Sequence, residues 1–261
     1  MKKSVLITGA SRGIGAATAL EFASKGYNVA INYCNSQESA TSLKQMISEK
    51  YDVDVLIVKA DVSKELEIKN MIKEVFDTFG AIDVLVNNAG IAIDSLVEDK
   101  TVEDFEKILK VNLIGSFICA RECAKVMREG SSIINVSSTN AIDTYYPYSL
   151  DYDASKAGML SLTKNLSVEY SPRIRVNAVM PGWVNTEMNK ELDKEYIEEE
   201  CKKILLKRLA EKDKMAIIVS SHLLSELENF CNRVCILLSG RIVHDLSMKE
   251  LCIIFQIRLL F

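Results

Sequence analysis

Three side chains in this sequence combine types and spacing that suit chemistry: Tyr152, Lys156 and Ser138. Tyr152 and Lys156 stand four apart in Tyr152-Asp153-Ala154-Ser155-Lys156, so on a helix they share one face and set a phenol beside an ammonium. A free tyrosine titrates near pH ~10, too high for a ready acid at neutral pH. A nearby cation stabilises the phenolate and draws that value toward the working range. Ser138, a short loop upstream, adds a neutral hydroxyl able to polarise a carbonyl oxygen. Such a trio suits proton delivery to a carbonyl as a hydride arrives from elsewhere. A Tyr and a Lys at this spacing also occur on ordinary surface helices, so the assignment depends on what else the chain carries.

The chain has 261 residues, enough for one large domain or two small ones. A hydrophobic share of 48% with 26% charged residues is ordinary for a globular protein. The net charge of −4 gives no electrostatic footprint for nucleic acid or an anionic membrane, so neither is expected as a partner. The N-terminus is basic then apolar, but its apolar run, Val5-Leu6-Ile7, is too short for a signal peptide. No run approaches the roughly 18 apolar residues of a membrane span. Seven cysteines, an odd number without CxxC spacing, argue against a disulfide framework and a zinc site. These features predict a cytoplasmic enzyme with reduced thiols and no metal.

The elements that must position the trio follow in order. Val5-Leu6-Ile7 reads as a buried strand running into Thr8-Gly9-Ala10-Ser11-Arg12-Gly13-Ile14-Gly15, with a helical pattern over residues 16–25. Strand, glycine-rich turn and helix make the phosphate-binding start of a dinucleotide fold, where backbone N–H groups approach a pyrophosphate at a helix N-terminus. The second strand, Asn28 to Tyr33, ends in Asn32-Tyr33 where an NAD-preferring fold carries an acid for the ribose 2′-hydroxyl. No carboxylate is there to repel a 2′-phosphate, and Arg12 can pair with one, so NADP(H) is expected over NAD(H). Strands at Val53–Val58, Ile82–Val86, Ile133–Val136 and Ile174–Val179 alternate with helical stretches near residues 37–49, 64–78 and 102–128 and with the helix bearing Tyr152. Short apolar strands without alternation fit a doubly wound, mostly parallel, Rossmann-like sheet covered on both faces. Ligands of such sheets bind beyond the strands' carboxyl ends. Gly9 to Gly15, Asp61, Asn88, Ser138 and Pro181-Gly182 all fall at those ends.

Laid out this way, residues 1–210 resemble the short-chain dehydrogenase/reductase family, near its 3-oxoacyl-(acyl-carrier-protein) reductase branch. The turn from Thr8 to Gly15 is similar to the family's cofactor turn, and Asn87-Asn88-Ala89-Gly90 to the motif whose last three residues line the adenosine side. Asn112, Ser138, Tyr152 and Lys156 fall where its catalytic tetrad belongs, and Pro181-Gly182-Trp183-Val184-Asn185-Thr186 resembles the segment packed on nicotinamide and phosphates. The resemblance implies that Tyr152 is the general acid and that Ser138, rather than the competing Ser137, holds the substrate oxygen. It implies that Lys156 binds the nicotinamide ribose and lowers the Tyr152 pKa, and that Asn112 holds a water in a proton relay. The cofactor set becomes Gly9, Ser11, Arg12, Gly13, Ile14, Gly15, Asn32, Asp61, Val62, Asn88, Ala89, Gly90, Tyr152, Lys156, Pro181, Gly182, Val184 and Thr186. Asp143 to Leu150, with Tyr145, Tyr146, Pro147 and Tyr148, would line the substrate mouth or simply pack the loop. The implied reaction is NADPH-dependent reduction of a 3-oxoacyl thioester, carried on acyl carrier protein or CoA, or of a similar small ketone, as in fatty acid biosynthesis.

Near Leu209-Ala210-Glu211 the pattern breaks, and residues 211–261 form an atypical segment, packed on the same domain or partly disordered. Residues 215–250 resemble the distal end of an ABC-transporter ATPase domain, with His222 at its switch position. The chain has no G-x-x-x-x-G-K-[ST] loop, signature motif or Walker B carboxylate, so ATP hydrolysis has no machinery. In the family the replaced segment supplies an edge strand and much of a tetramer interface, which puts the expected homo-oligomer in doubt. Either Ala216–Val219 or Val234–Leu238 with Ile242-Val243 is expected to fill that edge. The competing reading is a catalytically impaired fusion product that binds dinucleotide without turnover.

Overall fold

The computed structural model describes residues 2–142, 146, 148–189, 192–204, 206–211, 233–238 and 241–247. The short apolar runs become strands because burial on both faces leaves no room for a polar alternation. β1 (Ser4–Ile7), β2 (Asn28–Tyr33) and β4 (Val84–Asn87) are buried along their whole length. With β3 (Val55–Lys59), β5 (Ser131–Val136) and β6 (Ile174–Val179) they pair in parallel, in the order β3-β2-β1-β4-β5-β6. This is the Rossmann-like, doubly wound sheet that the alternation predicts.

Six helices wrap the sheet: α1 (Gly13–Ser24), α2 (Gln37–Lys50), α3 (Glu65–Phe79), α4 (Val102–Leu109), α5 (Gly115–Val126) and α6 (Leu150–Tyr170). Strand side chains alternate between two apolar clusters. Leu6, Leu85 and Ile133 pack with Ile68 and Met71 of α3, Ile118 of α5 and Leu166 of α6. Val5, Ile7 and Val29 pack with Ala19 and Ala23 of α1 and Leu43 and Ile47 of α2. Each fully buried Leu or Ile contributes about 1.5–3 kcal/mol. A π-helical turn at Lys110–Ile114 joins α4 to α5, and it carries Asn112. Gly115 follows because a Cβ there would lie 2.5 Å from the Val62 carbonyl oxygen.

Beyond β6 come β7 (Val184–Asn185), α7 (Lys194–Lys203) and β8 (Ala210–Glu211), with β7 and β8 paired in parallel. The chain divides into two compact units, residues 1–216 and 217–261. In the second, β9 (Arg233–Leu238) and β10 (Arg241–Ser247) pair antiparallel in a two-stranded sheet of their own. Val234–Leu238, expected at the parallel sheet's edge, pairs with the residues that follow it, beginning with Arg241 opposite Leu238. Ala216–Val219, His222 and the terminal Leu251–Phe261 lie outside the described residues. Among the described residues no helix is long and apolar enough to cross a membrane.

Candidate active site

Every strand of the parallel sheet points its carboxyl end at one edge, and the turns there build the site. The glycine turn works by leaving atoms out. Gly9 takes φ +60°, and a Cβ on it would meet the Ala89 Cα at 2.8 Å. A Cβ on Gly15 would lie 2.6 Å from the Asn88 Nδ2 and 2.8 Å from the Gly9 carbonyl oxygen. Gly13, also at φ +60°, has Glu187 Oε2 and the Thr186 side chain within 3.7 and 3.8 Å of where its Cβ would be. Arg12 takes the N-cap position of α1 without any side-chain capping bond, so the first N–H groups of that helix are left for an anion. Its exposed guanidinium makes no ion pair among the described residues. Ser11 and Ile14 are half-buried between these glycines.

Two asparagines expected to hold the cofactor brace this turn. Asn32 is 1% exposed; its Oδ1 accepts from the Gly9 N–H at 3.1 Å, and its Nδ2 donates to the Ala60 and Val58 carbonyls at 3.1 and 3.3 Å. Asn88 donates from Nδ2 to the Thr8 and Gly9 carbonyls, both at 3.0 Å. Thr8 in return accepts on Oγ1 from the Asn88 and Ala89 N–H groups at 3.0 Å. Asp61 accepts from the Ser63 N–H and hydroxyl at 2.9 and 2.7 Å. Burial pushes its carboxyl upward, but those bonds and Lys64 outweigh it and hold the group below its ordinary value. Val62 turns its side chain into the core, and its carbonyl packs on Gly115. Pro181 accepts from the Thr139 N–H at 3.1 Å, and Gly182 lies against the Thr139 side chain. Val184 is buried in β7.

On the other half of the edge, side chains do the work. The Ser138 hydroxyl acts on the Tyr152 phenol in favour of its ionised form. The Ser137 hydroxyl instead donates to the Lys156 carbonyl at 2.8 Å, which takes it away from the phenol. Lys156 is 3% exposed, donates to the Val136 carbonyl at 2.7 Å and stands 5.4 Å from the centre of the Tyr152 ring. Burial pulls its ammonium down from 10.5 to about 8. The expected lowering of the Tyr152 pKa is corrected: burial raises it and the Asp153 charge adds to that, and the Ser138 hydroxyl does not offset them. Desolvation of the phenolate wins because Lys156 sits over the ring face rather than at the hydroxyl. Asn112 Oδ1 and Lys156 Nζ converge on Gly90, within 3.4 and 3.6 Å of where its Cβ would be. The Asn112 amide is taken up by the Ile91 N–H and carbonyl and by Ser155 Oγ, at 2.9, 3.0 and 3.1 Å.

Aromatic rings stand beside this half. Tyr146 packs on Tyr148 and Tyr196 with centroids 5.3 and 5.5 Å apart, and Tyr196 meets Trp183 at 6.0 Å. The Trp183 indole donates to the buried Glu200 at 3.2 Å, which ties α7 to the Pro-Gly segment. Tyr145 and Pro147 lie outside the described residues. Sequence reasoning missed Asn140 and Asp153, which join the Ser138 network, and the buried Lys100–Asp151 pair at 3.1 Å beside Tyr152. The signal was Asp153 itself, a carboxylate inside the Tyr-x-x-x-Lys spacing.

A family profile described as Enoyl-(Acyl carrier protein) reductase matches residues 9–238. The 3-oxoacyl-(acyl-carrier-protein) reductase FabG of Staphylococcus epidermidis is 39% identical over 224 residues, 84% of this chain and 91% of that protein. A 3-oxoacyl-(acyl-carrier-protein) reductase of Synechocystis is 39% identical over 195 residues, 74% and 78% of the two chains. Among solved structures, a short-chain dehydrogenase of Burkholderia cenocepacia in complex with NADP superposes with TM-score 0.78 at 32% identity, over 81% of this chain and 86% of that one. The family match runs past residue 210, where the motif pattern breaks, and the likeness of residues 215–250 to an ABC-transporter ATPase gains no support.

Proposed function

The chain belongs to the short-chain dehydrogenase/reductase family of oxidoreductases, and from that premise we propose that it reduces the ketone of a 3-oxoacyl thioester or similar small carbonyl compound with NADPH. The observation that carries this reading is the grouping of Ser138, Tyr152, Lys156 and Asn112: Ser138 favours the ionised phenol, Lys156 Nζ stands 5.4 Å from the phenol's ring centre, and Lys156 and Asn112 meet at Gly90. The turn fits a dinucleotide: Gly9 and Gly15 let its backbone close tightly, Gly13 leaves open space at the helix N-terminus for the phosphates, and Thr186 and the Glu187 carboxylate stand beside Gly13. Arg12 offers a guanidinium without an ion-pair partner among the described residues for a 2′-phosphate. The bound dinucleotide supplies the hydride. Tyr152, held protonated at neutral pH, gives its proton to the carbonyl oxygen while the Ser138 hydroxyl donates to the same atom. The phenolate so formed is stabilised by the Lys156 ammonium above its ring. Lys156 then returns a proton to it, with Asn112 holding the Ile91 backbone that frames this corner.

The reductase domain of this reading is residues 1–210, and 211–261 is an atypical segment. It places the enzyme in the cytoplasm, in acyl-chain building, as a homo-oligomer. The test is NADPH oxidation with an acetoacetyl thioester, followed by loss of nicotinamide absorbance. The wild-type protein is expected to turn over, and Tyr152→Phe to lose about 10²- to 10⁴-fold in kcat with NADPH affinity retained. Soluble protein that binds NADPH yet reduces no carbonyl would favour the impaired fusion product instead.

A further inference from the structure

Resting on the reductase reading above, we propose that Asn140 and Asp153 are positioning residues: a carboxylate-anchored amide that fixes the Ser138 hydroxyl beside Tyr152. Ser138 caps a short 3-10 turn, Thr139–Ala141, its Oγ accepting from the Asn140 N–H at 3.2 Å. The same hydroxyl donates back to Asn140 Oδ1 at 3.3 Å. Asn140 Nδ2 donates to Asp153 Oδ1 at 2.8 Å, and the buried Ser149 hydroxyl donates to that same oxygen at 2.8 Å.

The direction of this chain is forced. A carboxylate only accepts, so the Asn140 amide must turn its NH₂ to Asp153 and its oxygen to Ser138. Ser138 has one proton, and Asn140 Oδ1 holds it. Held there, that proton is kept from the Tyr152 oxygen. Donors run from Ser138 to Asn140 to Asp153, each bond polarising the next. Ionising Tyr152 would require Ser138 to swing its proton away from Asn140 to reach the phenolate. Because the Ser138–Asn140 bond is long, a substrate carbonyl can draw that proton over at small cost. Both donors then aim at one oxygen.

The other charges near the phenol differ in how they are balanced. Asp151 is fully buried but paired with Lys100. Asp94 accepts from the Tyr146 hydroxyl at 3.3 Å, and Lys156 stands over the ring. Asp153 is met by the neutral donors of Asn140 and Ser149, and its charge acts on Tyr152 in the same direction as burial.

Both bonds to Asp153 fall on one oxygen, so Asp153→Asn can keep the geometry while removing the charge. Asp153→Ala and Asn140→Leu break the chain itself. The readout is the ¹³Cζ signal of ring-labelled tyrosine, with Tyr152 identified by its loss in Tyr152→Phe, followed through alkaline pH alongside kcat and KM. In all three variants Tyr152 is expected to titrate at lower pH than in the wild type. The alkaline limb of reduction should move with it, because removing a nearby negative charge or a competitor for the Ser138 proton favours the phenolate. Asp153→Ala and Asn140→Leu should also lose roughly two- to tenfold in kcat with KM for NADPH unchanged. An unmoved Tyr152 titration in folded Asn140→Leu and Asp153→Asn protein overturns the proposal. The titration needs no turnover, so it still decides the matter if the wild type proves inactive and the reductase reading fails.

Discussion

The two halves of the site edge are built on opposite principles. The glycine turn is a surface made by omission: Gly9 and Gly15 have no room for a Cβ, and the amides of the buried Asn32 and the half-buried Asn88 hold the backbone from behind. Its chemistry is that of N–H dipoles, insensitive to pH. The tetrad half is made of side chains whose charge states depend on burial: Lys156 is pulled down and Tyr152 is pushed up by the same desolvation. One half should fail when atoms are added, the other when atoms or charges are removed.

The sharpest way to break the first half is Gly15→Ala. The added methyl would lie 2.6 Å from Asn88 Nδ2 and 2.8 Å from both the Ala10 Cα and the Gly9 carbonyl oxygen. Two of those three neighbours are backbone, so the turn itself must shift, at a cost of about 1–3 kcal/mol. Fluorescence titration should show NADPH affinity weakened roughly tenfold to a hundredfold. Unchanged affinity would mean that the turn is not the cradle.

A smaller change sharpens the contrast between charge and backbone. Arg12→Ala leaves the turn's dipoles intact and removes one cation that has no partner among the described ion pairs. The expected result is about a tenfold loss of NADPH affinity with NADH affinity unchanged, the weight of one charge-assisted contact. Equal losses for both dinucleotides would show that Arg12 acts through the α1 cap instead.

The same contrast explains what is legible in the chain. The strand–turn–helix pattern and the tetrad spacing follow from local rules, so the sheet and the shared edge can be read from residue order alone. Orientation cannot. Asn32 sits where a ribose ligand is expected, yet its side chain points back at Gly9, which position alone does not reveal. The direction of the Tyr152 shift depends on how deeply helix α6 seats the phenol and on where Lys156 stands relative to the ring, both tertiary quantities. The tail misleads for a different reason. Ser239-Gly240 between two apolar runs is a hairpin signal, and β9 pairs with β10 as that signal says, whereas the family's edge strand suggests a partner further away.

Lys156 offers the finest test, because its charge can be followed without substrate. Burial lowers its pKa from 10.5 to about 8, so the folded protein releases this proton before the unfolded chain does. Between those values the unfolded state binds more protons, and stability must therefore rise with pH across that window. The ceiling on the slope is about 1.4 kcal/mol per pH unit, and only part of it applies near pH 8. Tyr152 acts in the opposite sense above pH 10, where the unfolded phenol ionises first and stability falls. Urea denaturation at pH 7.5, 8.5 and 9.5 should show the wild type gaining about 2 kcal/mol over that range relative to Lys156→Met. A difference that stays flat would mean that Lys156 keeps its proton in the fold. The ammonium would then be hydrated, and the tetrad half would be as indifferent to pH as the glycine turn.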